Sequence, residues 1–250
     1  MSWEIEHYAT ILAGCESVIS GSELSYEGRY TKSVLQLHAS DLGHVAGTEG
    51  FMDAIKKGAS NLKEWLLKLL SSIAEFINEI TGGAAKRRQI EAEQALRKQM
   101  EEADAAEKAA LKTKTIEVAK EVFAEPVRLS RIVYDDIVSL GYLDGDQFEA
   151  FDVNNMRIHS AYDRIKSTIY YGEHPDEHIR KDVVKSINDI KDGIEALSRD
   201  AKRAVSEYAN EEEANAQRKA INAAGQQLTK FTKVLKYWND GLIRFDNKML

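Results

Sequence analysis

Two histidines with the spacing of metal ligands, His174 and His178, lie in the stretch EHPDEH. Residues four apart share one face of a helix, and paired imidazoles there can bind zinc. The zinc-protease motif requires a glutamate directly after the first histidine, but Pro175 stands at that position. The sequence also offers no identifiable third ligand. We therefore expect no metal site and no bound cofactor, and we interpret Pro175 as the first residue of a helix.

The same stretch contains the tripeptide His174, Pro175 and Asp176, between AYDRIKSTIYYGE and the later IEALSRDAKR. This order of a helix, an HPD loop and a later helix resembles J-domain co-chaperones over residues 160–203. The resemblance implies that the tripeptide stimulates the ATPase of a partner Hsp70. The helix before the loop lacks the basic surface usual in that family. A helix that starts at Pro175, with Asp176 near its positive end, explains the same residues locally.

Two stretches resemble a calcium site and a phosphate-binding loop, but each lacks residues that the motif requires. The turn LDGDQFEAFDVNN offers Asp144 and Asp146, but its sixth loop position is Glu149 and its twelfth is Asn155. An EF-hand requires glycine and glutamate at those two positions. The stretch GTEGF at 47–51 lacks the Lys-Ser or Lys-Thr of a phosphate-binding loop. We interpret the first stretch as a turn and the second as the start of a helix.

Nothing else in the sequence indicates catalysis. The single cysteine, Cys15, excludes an internal disulfide, and we interpret it as a small apolar core residue. The chain has 41 acidic and 34 basic residues, a net charge of −7, which opposes bulk nucleic-acid binding. The basic cluster Lys86–Arg88 is followed by Glu91 and Glu93, which is typical of a solvated helix end. We expect a protein that is not an enzyme and that binds other proteins or itself.

The elements that must position these residues are helices. Only 2 prolines and 15 glycines occur in 250 residues, which leaves few positions where a helix must end. Apolar residues recur at alternating steps of three and four. Two such stripes lie near the C-terminus: Ile179, Val183, Ile187, Ile190, Ile194, Leu197 and Ala201, then Ile221, Ala224, Leu228, Phe231, Leu235, Trp238 and Leu242. We predict an all-α fold, an elongated, partly coiled-coil-like bundle of long helices.

The strongest stripe lies in an amphipathic helix predicted over residues 51–80. Its candidate partner or membrane face consists of Leu62, Trp65, Leu66, Leu69, Ile73, Phe76, Ile77 and Ile80, with Leu67 outside it. Such regular spacing is what packing against another helix requires. The four lysines and four acidic residues of this segment sum to zero charge, whereas helices that lie on membranes usually have excess basic residues. We therefore predict packing against helices of the same chain.

Transient membrane contact is the alternative use of this helix. Gly82 and Gly83 follow it, and we predict that they end it in a left-handed cap and act as a hinge. A released face could bind a membrane or a partner in a second state. Charged residues interrupt the most apolar window, so we predict no transmembrane helix. Glu4 and Glu6 oppose a secretory signal peptide.

Residues 84–112 are rich in Ala, Glu, Lys, Arg and Gln, which predicts an exposed connecting helix or the arm of a coiled coil. We expect it to continue to about Glu125 and to bend or restart at Pro126. The change in composition suggests a domain boundary after residue 83. The expected domains are an N-terminal helical unit, 1–83, and a long-helix unit, 84–250.

The order of features over residues 1–83 resembles internal head or ejected virion proteins of large tailed bacteriophages. Short helices come first, then VAGTEGFMDAIKKG, then a Trp-bearing amphipathic helix that ends in Gly-Gly. In some such proteins a prohead protease cleaves after an apolar-x-Glu tripeptide, and three tripeptides ending at Glu64, Glu75 and Glu79 fit. The resemblance implies a location in the virion interior or the host cytoplasm.

Three functions follow from these observations. The first is a non-enzymatic structural or host-delivered phage protein that acts through helix–helix contacts. The second is a membrane-active, pore-forming-like protein that releases helix 51–80. The third is a J-domain-like co-chaperone that uses residues 174–176.

Overall fold

The computed structural model describes residues 3–20, 25–41, 48–139, 163, 166–167, 179–206 and 214–250. Seven α-helices have their bounds within these residues: α1 (Trp3–Ser20), α2 (Tyr26–Asp41), α3 (Thr48–Thr81), α4 (Gly83–Glu102), α5 (Ala105–Ser139), α6 (Ile179–Ser206) and α7 (Ala214–Met249). No β-strand occurs in this described part of the chain. The predicted all-α fold is therefore confirmed.

Helices α6 and α7 bury the two apolar stripes that the sequence predicts. Every residue of both stripes is at most 3% exposed. Helix α7 also buries polar side chains, namely Asn222, Gln227, Thr232, Asn239 and Asp246. Because side chains are buried on more than one side of α7, the helix has neighbours on more than one side, while Lys233, Ile243 and Arg244 remain exposed.

The chain divides into two compact units. Unit 1 comprises residues 1–75 and 197–230, and unit 2 comprises residues 76–196 and 231–250. Each unit therefore combines segments that are distant in sequence, and helices α3, α6 and α7 have residues in both. The division at residue 83 follows the order of the sequence and stays a prediction.

The expectation of one continuous helix across residues 84–125 is wrong, because a new helix, α5, begins after Asp104. The carboxylate Oδ1 of Asp104 accepts 2.8 Å hydrogen bonds from the backbone N–H groups of Ala106 and Glu107. In return, Glu107 Oε2 accepts a 2.9 Å bond from the N–H of Asp104. This reciprocal pair is a capping box, which satisfies N–H groups that the first turn of a helix leaves unpaired.

Pro126 lies inside α5, and the helix does not restart there. A proline in a helix interior costs about 3 kcal/mol, so packing must stabilise α5 at this point. The buried proline ring lies against α7, where a Cβ on Gly241 would be 3.5 Å from its Cγ. The carbonyl of Pro126 accepts a 2.8 Å bond from Ser130 Oγ, which itself accepts a 3.0 Å bond from Trp238 Nε1. Contacts with α7 within unit 2 thus stabilise α5 at Pro126.

Helix α4 is the exposed connecting helix that the composition predicts. Ala92 is the one buried residue in its 20 residues. Ala85, Gln89, Leu96 and Met100 are half-buried and lie on the same side as Ala92, because the five residues are spaced at steps of three and four. The other side chains of α4 are exposed.

Candidate functional site

The apolar face of α3 is buried. We define it by Trp65, Leu66, Leu69, Leu70, Ile73, Phe76 and Ile77, none more than 8% exposed. Leu67, which the helical spacing places off this face, is 40% exposed. The contrast shows that α3 directs one side inward, as the 3.6-residue period requires. In this structure the face is a packing surface, and its use by a membrane or a partner stays a prediction.

Two residues of the predicted face lie at its ends. Ile80 is half-buried, in the last turn of α3. Leu62 belongs to α3, but its side chain is outside the described side chains. The described burial therefore begins at Trp65.

Within unit 1, helices α1 and α7 meet at the part of the α3 apolar face that contains Leu66 and Leu69. A Cβ on Gly225 of α7 would lie 2.9 Å from Cδ1 of Leu12 in α1, 3.6 Å from Cδ2 of Leu69 and 3.7 Å from Cδ1 of Leu66. Three helices approach this closely because Gly225 has no side chain. Periodicity identified Leu66 and Leu69, but it could not identify Gly225, which follows them by more than 150 positions.

Polar contacts border this face where α1 meets α3. Nζ of Lys68 pairs with Glu64 Oε1 at 2.7 Å and lies 5.9 Å from the ring centroid of Tyr8 in α1. The hydrogen bond with Glu64 raises the pKa of Lys68. A cation over an aromatic ring is attracted to it. The side chain of Lys68 is 48% exposed, so solvent screens most of this stabilisation.

Helices α1 and α2 pack through small residues. A side chain on Gly14 of α1 would overlap the carbonyl oxygen of Glu27 and Oγ1 of Thr31 in α2. The buried hydroxyl of Thr31 donates a 3.1 Å hydrogen bond to a backbone carbonyl of α1. Farther along, His7 Nδ1 and the hydroxyl of Tyr30 form a 2.6 Å hydrogen bond. These contacts fix the helix that places Leu12 against α3.

The joint between α3 and α4 is a single residue, Gly82. Its backbone is extended, with φ −73° and ψ −174°, so the predicted left-handed cap is wrong. Gly83 is the first residue of α4. A Cβ on Gly82 would overlap the carbonyl oxygen of Asn78, whereas a Cβ on Gly83 would meet nothing within 4 Å. Glycine is therefore required at Gly82 for space and not for a positive φ.

A buried ion pair in unit 2 was not identified from the sequence. Nε and Nη2 of Arg180 donate to the two carboxylate oxygens of Asp246 at 2.9 and 3.2 Å. Both side chains are little exposed, at 12% and 11%. Arg180 Nη2 also donates to the carbonyl of Gln89 in α4 at 2.8 Å, and Nη1 lies 3.4 Å from Glu93 Oε2. The guanidinium therefore joins α6, α7 and α4.

Several candidate residues lie outside the described residues. They are His174, Pro175, Asp176 and His178, together with the acidic turn at 144–155. Lys86, Arg87 and Arg88 are exposed at the start of α4, and Cys15 is buried. Among the described residues, no three His, Cys, Asp or Glu side chains form a group that could hold a metal ion.

The comparisons with known proteins give no relative. No protein-family model, curated protein or solved structure matches this chain. None of the helices that the structure describes has a stretch long and apolar enough to cross a bilayer.

Proposed function

We propose that this chain is a non-enzymatic helical protein that acts through helix–helix contacts with another protein or with a second copy of itself. The setting that its first 83 residues suggest is the interior of a phage virion or the cytoplasm of a host that receives it. The observation that carries the proposal is the exposure of α4, in which Ala92 alone is buried.

A helix of a folded protein normally buries three or four residues in every two turns. Helix α4 has 20 residues and falls far short of that proportion. It contributes little apolar burial to its own unit, and it leaves Ile90 46% exposed. Much of its surface is therefore available to a second helix. This supports a role in binding.

The buried face of α3 supports the same proposal over a membrane-active one. Burying a large apolar side chain contributes about 2 kcal/mol. Freeing Trp65, Leu66, Leu69 and Ile73 would therefore cost on the order of 8 kcal/mol, comparable to the whole stability of a typical domain. A vesicle-binding assay on the intact chain tests this alternative, and tight binding without denaturant would favour it.

Sedimentation velocity on the intact chain tests the proposed self-association. We expect a complex that strengthens with concentration and that Ile90→Asp weakens at least about tenfold, since a charge would enter the contact. Ile132→Asp is the matched control, because Ile132 of α5 is similarly exposed, at 40%. A chain that stays monomeric, or an equal effect of both substitutions, would contradict self-association through α4.

The phage setting has an independent test in the genes beside this one. Capsid, portal or prohead protease genes would support it. A toxin gene with its immunity partner would overturn it.

A further inference from the structure

We infer that α4 is a hinged arm, in which Gly82 is the hinge and Arg180, held by Asp246, is the latch that docks it. The inference rests on the proposed function, because it explains how the exposed helix is kept in place or released. Nothing in the sequence pattern assigns a role to Arg180 or Asp246.

The hinge follows from the joint between α3 and α4. Only Gly82 separates the two helices, and no side chain caps the start of α4. The backbone N–H of Lys86 donates a 2.9 Å hydrogen bond to the carbonyl of Gly82 at this joint. Gly83 is exposed, with space around its Cα. A change in the Gly82 torsions, together with one at Ala103 and Asp104 where α4 joins α5, would therefore move α4 without unpacking a buried side chain at the Gly82 joint.

The latch follows from the contacts of one guanidinium. In α4, Arg180 binds the backbone carbonyl of Gln89, about two turns beyond the hinge, and the carboxylate of Glu93. Two parallel hydrogen bonds to Asp246 fix the plane of the guanidinium. Such a bidentate pair has a defined geometry that a lysine cannot reproduce. Asp246 of α7 therefore orients the guanidinium that contacts α4.

Within the part of the chain that the structure describes, no second polar contact from another helix holds α4. Among the described residues, Arg180 is the only side chain of another helix that makes a polar contact with α4. The other ion pairs of α4, Arg97 with Glu101 and Lys98 with Glu102, lie within the helix itself. Apolar burial adds Ala92 and, in part, the half-buried Ala85, Leu96 and Met100. Removal of the guanidinium should therefore release α4 before it unfolds unit 2.

Hydrogen exchange on the free, full-length chain tests the latch. We expect Arg180→Met to speed exchange of the α4 amides at least about tenfold, because the arm opens locally. Arg97→Met is the matched control, since it removes an exposed guanidinium that pairs only within α4. Exchange in the α7 segment that follows Phe231 should stay slow in both variants.

Arg180→Met leaves Asp246 buried without its partner, which can destabilise the whole of unit 2. The double variant Arg180→Met, Asp246→Leu removes both charges and keeps the volume apolar. It should retain the fold by circular dichroism and still show fast exchange in α4. The latch would be overturned if the α4 amides of the double variant exchanged at the wild-type rate. It would also be overturned if α4 opened only when the whole of unit 2 unfolds. Because exchange is measured on the free chain, failure of self-association leaves this result untouched.

Discussion

Leu12 of α1 and Gly225 of α7 meet over the apolar face of α3, where a Cβ on Gly225 would be only 2.9 Å from Cδ1 of Leu12. The two residues come from opposite parts of the chain, and both lie in unit 1. Between them they close over Leu66 and Leu69, which are 0% exposed. The amphipathic helix therefore faces protein.

Replacing Leu69 with Asp should unfold unit 1, because it places an unpaired carboxylate among apolar side chains. We expect a loss of more than about 4 kcal/mol in the free energy of unfolding, measured by urea denaturation with circular dichroism. Leu67→Asp is the control, since Leu67 is 40% exposed, and it should change stability by about 0.5 kcal/mol. Equal losses at the two positions would contradict the one-sided burial of α3.

The two adjacent glycines should respond oppositely to alanine. Gly82→Ala would force its Cβ into the carbonyl oxygen of Asn78, so the joint must shift and stability should fall by at least about 1 kcal/mol. Gly83→Ala adds a Cβ in open space at a helical position, and it should stabilise by up to about 1 kcal/mol. Thermal melts of both variants would show the difference. No loss in Gly82→Ala would contradict the steric constraint at Gly82, and a loss in Gly83→Ala would contradict the open space at Gly83.

Ser130→Ala should leave the buried indole N–H of Trp238 without its acceptor. An unsatisfied buried donor costs about 1 to 3 kcal/mol, and we expect a loss of that size in chemical denaturation. The control is a double-mutant cycle with Trp238→Phe, which removes the donor. A coupling energy of at least about 0.5 kcal/mol is expected. Purely additive effects would show that the hydrogen bond does not stabilise unit 2.

Asp104→Ala should weaken the start of α5, because it removes the carboxylate that accepts from two backbone N–H groups. The loss of an N-cap costs about 0.5 to 2 kcal/mol. Faster hydrogen exchange in the first turn of α5 would report this loss. Asp104→Asn keeps an acceptor oxygen and should preserve most of the protection. If the alanine and asparagine variants exchange alike, the capping box does not define the break.

Local periodicity was sufficient to predict which side of a helix is buried. It placed the stripes of α6 and α7 correctly and separated Leu67 from its buried neighbours, because a single helix face depends only on spacing. The break at Asp104 was also present in the sequence as Asp-x-x-Glu, but the high helix propensity on both sides concealed it.

Contacts between distant segments could not be predicted in the same way. The sequence predicts a helix boundary at Pro126, because spacing alone does not show that Gly241 and Ser130 accommodate the proline inside α5. Arg180 and Asp246 are ordinary charged residues in a chain with 75 of them, and only the fold brings them together. Pairing across long sequence separations depends on how the helices pack, which composition and spacing do not specify.

Thiol labelling of the folded chain tests the sheltering of the α3 face most directly. In a Cys15→Ala background, single cysteines would replace Leu69 and Leu67, and their reaction with a thiol reagent would be timed under native conditions. A thiol that reacts only after local opening should label at least about 100-fold more slowly than an exposed one. We predict that difference between Leu69→Cys and Leu67→Cys. Equal, fast labelling of the two would contradict the conclusion that helices of the same chain cover this face.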